Sequence, residues 1–454
     1  VNTITTIDSP VNGLGAGATV LSFPAPPKND DPEITLINPV NGDACDLQAT
    51  IEEAYGRNDR PREKGSGRPE IQLVAGEQPR VTDEVFKVIK KEGSLYKRGG
   101  MLVCLDDART VEANEEFLAD YLGRRIDFFK MKPVVSGGFE CVDVDPPKWL
   151  CKRVGKLPGK RGVPELVDII TAPILKPDGS VLNAPGYDDE TKLLLLPGKY
   201  PSIKEHPSYE DIREAWNYLW LPFSKFPYVS DDDRAVTAAT LLTSMIRRIL
   251  PLAPASNFDA PVPSSGKTLL AKCIQELAGL HGNATPYTDD KEVRKSLTAF
   301  SLEGKPSILF DNIKGVVRSP SLEAYLTTGR WSDRVLGISK MVDLPTNILI
   351  LFSGNNFQPG GDLWRRVLTC RIDPRVEDAH RRKFDMDPQA YCRENRQKLV
   401  AAGLTILRGF VSFGKPQINK EPLDLPRFRG EAWCLVSVAD WRSGRRPPCR
   451  CSSL

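Results

Sequence analysis

Phe258-Asp-Ala-Pro-Val-Pro-Ser-Ser-Gly-Lys-Thr-Leu-Leu-Ala271 decides how the rest of this 454-residue chain is read. A loop that closes in Gly-Lys-Thr and opens a helix suits phosphate. Backbone N–H groups and the positive helix end face the anion, Lys267 reaches the outer phosphates, and the Thr268 hydroxyl takes Mg²⁺. Pro263, Ser264, Ser265 and Gly266 are the cradle expected ahead of these two side chains. Leu270, Cys273, Ile274 and Leu277 recur at helical spacing, and Gly282 is placed to end the helix. Two positions depart from the G-x-x-x-x-G-K-[ST] pattern: Pro261 replaces the first glycine, and Ser264 stands where many such loops carry another. In isolation the segment also reads as a polar turn before a core helix. The segments downstream of Ala271 choose between the two.

Ser307-Ile-Leu-Phe-Asp311-Asn312 is an apolar run ending in an acid, the pattern of a buried parallel strand that delivers a carboxylate at its C-terminal edge. Asp311 is expected to hold the water shell of Mg²⁺, which prefers one or two carboxylates plus phosphates. Asn347-Ile-Leu-Ile-Leu-Phe-Ser-Gly-Asn355-Asn356 repeats the layout with amides, and Asn355 can orient a water at a terminal phosphate without adding charge. Gly361-Asp-Leu-Trp-Arg365-Arg366-Val-Leu-Thr-Cys-Arg371-Ile-Asp373 then supplies guanidinium groups, which stabilise charge on a transferring phosphoryl, often from a neighbouring subunit. Each segment alone is ordinary. Their order makes an ATPase that uses ATP and Mg²⁺ the expected chemistry, with Lys267, Asp311, Asn312, Asn355, Arg365 and Arg366 as its catalytic candidates.

Taken together, Gly-Lys-Thr, Asp311-Asn312, Leu326-Thr-Thr-Gly329 with Asp333-Arg334-Val-Leu336, Asn355-Asn356 and Arg365-Arg366 resemble the superfamily 3 helicases, especially the primase-helicase ATPases of phages, plasmids and integrative elements. The specific motifs span residues 258–373. A weaker likeness reaches back through Ala172-Pro-Ile-Leu-Lys-Pro-Asp-Gly179 and Gly186-Tyr187-Asp188. The resemblance implies an AAA+-like P-loop core, a homo-oligomeric ring (usually a hexamer), and ATP-driven movement on single-stranded DNA during replication. It also implies a DNA-contacting hairpin at about 335–342, with Lys340 and Arg334 as phosphate contacts. Asn312 stands where many relatives carry a second acid, so the general base is unassigned. A loader or initiator without strand separation, and an inactive or scaffolding remnant, remain open at this point.

Composition is compatible with that reading. Apolar residues make up 40% and charged residues 27%, with a net charge of +3, which neither demands nor excludes nucleic acid. No apolar run is long enough to span a membrane, and the N-terminal stretch lacks the layout of a secretory signal, so a cytoplasmic protein is expected. Ten scattered cysteines and three histidines give no zinc or disulfide framework.

The fold expected is α/β, an ATPase core with an α+β N-terminal region and a helical linker. Residues 1–67 read as disordered, 68–200 as an α+β accessory domain, 201–250 as a helical collar, 251–385 as the ATPase core, and 386–454 as a helical segment with an irregular basic tail. Within the accessory region Thr82 is expected to cap a helix. Hairpins are expected around Gly99-Gly100 and Pro177-Asp178-Gly179, and Lys152 to Arg161 reads as a basic loop. Ser208 and Ser230 are expected to cap the two collar helices.

Overall fold

The computed structural model describes residues 67–106, 108–135, 138–157, 161–279, 283–335, 341–375 and 386–414. Of these, 131–140 belong to one compact unit and the remainder to another, which carries the helices, the parallel sheet and their loops.

The N-terminal region comprises β1 (Glu70–Gln72), α1 (Gln78–Glu92), β2 (Leu95–Arg98), β3 (Met101–Asp106), β4 (Arg109–Glu112), α2 (Glu115–Gly123), β5 (Asp127–Pro133), β6 (Phe139–Asp143) and α3 (Lys148–Lys156). The β2–β3 hairpin turns on Gly99 and Gly100, both at positive φ (53° and 82°), where two successive left-handed residues match strand twist. Two local expectations are corrected. α1 begins at Gln78, so Thr82 lies inside it, buried, its Oγ1 donating to the Gln78 carbonyl at 2.6 Å. Lys152 to Lys156 belongs to helix α3 rather than to a loop, because Leu150, Cys151 and Val154 form a buried face.

Next in the chain is a β-rich connector: β7 (Asp168–Ile170), β8 (Ile174–Leu175), β9 (Val181–Leu182), β10 (Gly186–Asp188) and β11 (Leu193–Leu195). β8 and β9 form the hairpin expected at Asp178-Gly179. Helices α4 (Tyr209–Trp220) and α5 (Asp231–Ile246) both start in capping boxes. Ser208 and Ser230 accept from the backbone N–H three residues on, and the carboxylates of Asp211 and Asp233 reach back. α5 is buried on all sides from Thr237 to Arg247; Thr240 Oγ1 and Ser256 Oγ lie 2.7 Å apart, and nearer its start Asp233 Oδ1 accepts from the Arg371 N–H at 2.6 Å.

The remaining elements form a three-layer α/β fold. β12 (Ala255–Ala260), α6 (Lys267–Ala278), β13 (Asn283–Pro286), α7 (Asp290–Glu303), β14 (Ser307–Val317), α8 (Pro320–Tyr325), β15 (Arg330–Arg334), β16 (Met341–Pro345), β17 (Leu349–Pro359) and β18 (Val367–Arg371) are followed by α9 (Pro388–Glu394) and α10 (Arg396–Ser412). Five parallel strands run in the order β13-β14-β17-β12-β18. One face carries Phe258, Leu309 and Leu351 against α5, α6 and α10; the other carries Ile308, Phe310, Ile350 and Phe352 against α7 and α8. Strands covered on both faces explain the nearly continuous apolar runs. Helix α6 ends at Gly279, whose N–H bonds the Gln275 carbonyl, and not at Gly282, which lies outside the described residues.

Candidate functional site

β12 lies between β17 and β18: the chain runs from β12 to β13 on one side of it, and from β17 past it to β18 on the other. That reversal opens a crevice beyond the strand's C-terminal end, where ligands bind in open α/β sheets. The 261–266 loop fills this position. It turns from strand to helix through two left-handed residues, Ser264 (φ 57°) and Gly266 (φ 99°). The serine therefore occupies the backbone conformation that a glycine would adopt without steric cost. No side chain caps the start of α6, so its first N–H groups are presented to the loop interior.

Lys267 opens α6 almost fully buried, at 8% exposure. Burial pushes its ammonium below the usual lysine range, while Asp311 and Asp259 pull it back up. Thr268 Oγ1 donates to Asp311 Oδ1 at 3.1 Å and lies 3.3 Å from Ser353 Oγ. Ser353 also donates to Asp311 Oδ1, and the Asn312 N–H adds a bond to the same oxygen at 2.8 Å. Three donors thus hold one carboxylate beside the start of α6. Mg²⁺ that keeps several waters takes one or two protein oxygens, and Thr268 with Asp311 offers that number. On the same edge, the buried Ser265 Oγ and Asn355 Oδ1 have no hydrogen-bond partner, so polar positions stand open for a ligand there.

Neither apolar run stops at its polar residue. β14 continues past Asp311 and β17 past Asn355, with register breaks between Phe310 and Ile313. Asn312 (φ 59°) and Asn356 (φ 53°) supply left-handed residues in neighbouring strands, and asparagine tolerates that region better than most. The backbone itself therefore favours the amide at 312. Past the break, the Phe357 N–H bonds Asp259 Oδ1 at 3.0 Å and its ring stacks on Phe352 with centroids 5.3 Å apart.

Two residues escaped the sequence reading. Ser353 sits two positions before Asn355, and strand alternation alone places both on one face. Asp259, one residue inside β12, had no such signal.

The structure does not bring Arg365 and Arg366 to this cluster. They precede Val367, which pairs with Ala255 at the opposite end of β12 from Ala260. Arg365 is exposed, 5.1 Å from the Trp364 ring centroid, and Arg366 bonds the Asp362 carbonyl at 2.7 Å. Arg334 is exposed at the end of β15, opposite Met341 in the β15–β16 ladder. Lys340 lies outside the described residues. The stem of that hairpin is firmly set: Arg294 grips Asp333 at 2.8 and 3.1 Å, and Val342 and Leu344 pack with Tyr96 and Met101 of the N-terminal hairpin.

No protein-family model and no curated protein matches the chain. Among solved structures it is similar to the A-form apo structure of the NrS-1 C-terminal region, at 12% identity over 78% of this chain and 74% of that one, with a TM-score of 0.38. It is also similar to the X-ray structure of JCV helicase, at 13% identity over 52% and 68%, with a TM-score of 0.24. At these scores the likeness carries no argument about fold or activity. The α/β assignment rests on the parallel sheet itself. Among the described residues no helix is long and apolar enough to cross a membrane, and the six described cysteines are free thiols.

Proposed function

We propose that this chain is an ATP-hydrolysing DNA helicase or translocase, working as a homo-oligomeric ring on single-stranded DNA in replication of a phage or mobile element. The observation that carries the reading is the meeting of Lys267, Thr268, Asp311 and Ser353 at the sheet's switch point, beneath an uncapped helix start. The order of motifs on either side, with its superfamily 3 resemblance, supplies the DNA.

In this reading the 261–266 loop is a P-loop of an AAA+-like core, and MgATP supplies the phosphoryl group that passes to water. Pro263, Ser264, Ser265 and Gly266 surround the phosphates with backbone N–H groups, Lys267 neutralises the outer ones, and Thr268 and Asp311 hold the metal. Asn355, an unpartnered acceptor at the same edge, orients the attacking water. Asn312 brings no acid, so no residue is assigned as general base.

Arg365 and Arg366 act on the site of a second copy. Their own loop is five residues of β12 away, about 17 Å at strand rise. Arg334 and Lys340 contact DNA phosphates. The test is ATP turnover together with strand displacement. Wild-type protein should do both, and Lys267→Ala should lose both while keeping its fold. Hydrolysis without unwinding would make the chain a loader or initiator, and turnover by a folded Lys267→Ala protein would refute the phosphate assignment.

A further inference from the structure

Helices α1 and α3 pack through Val85, Phe86 and Ile89 against Leu150, Cys151 and Val154, and their outer faces carry lysine. Lys148, Lys152 and Lys156 are exposed at i, i+4 and i+8 of α3, one per turn and about 6 Å apart. Lys87, Lys90 and Lys91 are exposed at i, i+3 and i+4 of α1. None of the six forms an ion pair with a described residue. The acids around them are largely engaged by arginines: Asp83 by Arg161, Glu84 by Arg80 at 2.9 Å, Glu92 by Arg125 at 3.4 Å and Asp120 by Arg124 at 2.8 Å. Glu115, near Cys151, is an acid facing α3 from α2. Six lysines without carboxylate partners on adjoining helices form a field that attracts a polyanion.

A second feature lies where α1 ends. Gly93 and Ser94 open a cleft of about 620 Å³, lined also by Tyr96, Phe117, Tyr121, Arg125 and Leu194. Phe117 stacks on Tyr121 with centroids 5.7 Å apart, and the Arg125 guanidinium lies 3.9 Å over the Tyr121 ring. The Tyr121 hydroxyl is engaged with Ser94 Oγ at 2.6 Å. The cleft is large enough for a nucleobase; Tyr121, 5% exposed, lies beneath Phe117 and Arg125, so the half-buried Phe117 ring and the guanidinium are the surfaces a base would meet, rather than a fixed set of hydrogen-bonding groups.

We propose that the α1–α3 lysine face and the Phe117–Tyr121–Arg125 cleft form a second single-stranded nucleic-acid site, with phosphates on the lysines and an unstacked base in the cleft. Such a pairing of basic track and stacking platform binds a single strand without reading its sequence. A duplex can use only the lysines, because its bases are already stacked. The site is separate from the nucleotide loop and does not rest on the ATPase reading; Tyr96 and Leu194 of its lining share an apolar cluster with Val342 and Leu344 of the β15–β16 hairpin.

The test uses the full chain and a fluorescently labelled oligothymidylate, an abasic strand of the same length, and a duplex, each titrated across a salt series. Lys148→Ala/Lys152→Ala/Lys156→Ala should weaken binding of the single strand and flatten its salt slope by about 2 units, near 0.7 per lost phosphate contact. ATP turnover without DNA should be unchanged. Phe117→Leu, which keeps an apolar side chain under the cleft, should weaken oligothymidylate binding about tenfold and leave the abasic strand unaffected. Lys267→Ala should bind as wild type does. Unchanged affinity and slope in the triple variant would overturn the proposal. So would losses in Phe117→Leu that are equal for oligothymidylate, abasic strand and duplex, which would mark a general polyanion surface. Wild-type protein that binds through these residues but hydrolyses no ATP would remove the ATPase reading and leave this one standing.

Discussion

Removing the Asp168 carboxylate should be among the most damaging single changes in the molecule. Asp168 is 1% exposed and stands between Arg98, 2% exposed, and Arg248. Arg98 Nη1 lies 3.3 Å from Oδ1, Arg248 forms a short ion pair with Oδ2, and Asn347 Nδ2 donates to Oδ2 at 3.2 Å. The guanidiniums are further tied to carbonyls of Val167, Ser301 and Gly304, so they cannot swing out to water. Burial already depresses the Arg248 guanidinium, and Asp168 is the charge that offsets this.

Asp168→Ala therefore leaves two buried cations facing each other with no counter-charge. Breaking a buried pair in this way costs about 3–5 kcal/mol, a large share of the roughly 5–15 kcal/mol that holds a domain folded. The cluster joins β2 and β7 to the ends of α5 and α7, so the loss should appear in the main urea transition, followed by tryptophan fluorescence. Replacing all three charges (Asp168→Leu, Arg98→Met, Arg248→Met) should recover part of the stability, since it removes the unpaired charges while leaving the carbonyls of Val167, Ser301 and Gly304 and the Asn347 amide without these partners. An Asp168→Ala protein within about 1 kcal/mol of wild type would refute the argument. So would a triple variant no more stable than the single one.

The same geometry has other consequences. If Arg365 and Arg366 act in trans, their double alanine variant should lose about 10³-fold in ATP turnover and regain part of it when mixed with Lys267→Ala protein. Mixed oligomers with no recovery at any ratio would show the arginines act elsewhere. A methyl on Gly409 would strike the stiff Ile212 side chain and one on Gly403 the tip of Met245. Gly409→Ala should therefore destabilise by about 1–2 kcal/mol, whereas Gly403→Ala should stay within about 1 kcal/mol because methionine yields. Chemical denaturation of the pair checks the contrast. The Lys204 ammonium and the Ser208 cap hold the Asp211 carboxyl down at about 2. This folded-state value is depressed, so the capping box contributes fully above the unfolded value of about 3.9 and is lost as pH falls towards 2. NMR titration of Asp211 should show that low midpoint, and an ordinary one would remove the capping box from the acid response.

The sequence by itself determined what is settled within a few residues. Gly99-Gly100 and Asp178-Gly179 wrote their hairpins, and Ser208 and Ser230 wrote helix starts, because backbone φ and the first-turn N–H groups are satisfied locally. The same applies to the Gly266-Lys267-Thr268 turn into α6 and the apolar runs ahead of Asp311 and Asn355, whose composition already required strands buried on both faces. Tertiary structure alone decided which distant groups share a volume. It put Ser353 on Asp311, set Asn312 and Asn356 in two successive register breaks of one strand pair, and carried Arg365 and Arg366 to the far edge of the sheet. It also buried Arg248, just past the end of α5, on Asp168. The reason is one of range: a capping hydrogen bond is formed by neighbours in the chain, whereas burial of a charge is decided by whichever segment, eighty residues away in this case, arrives to pair with it.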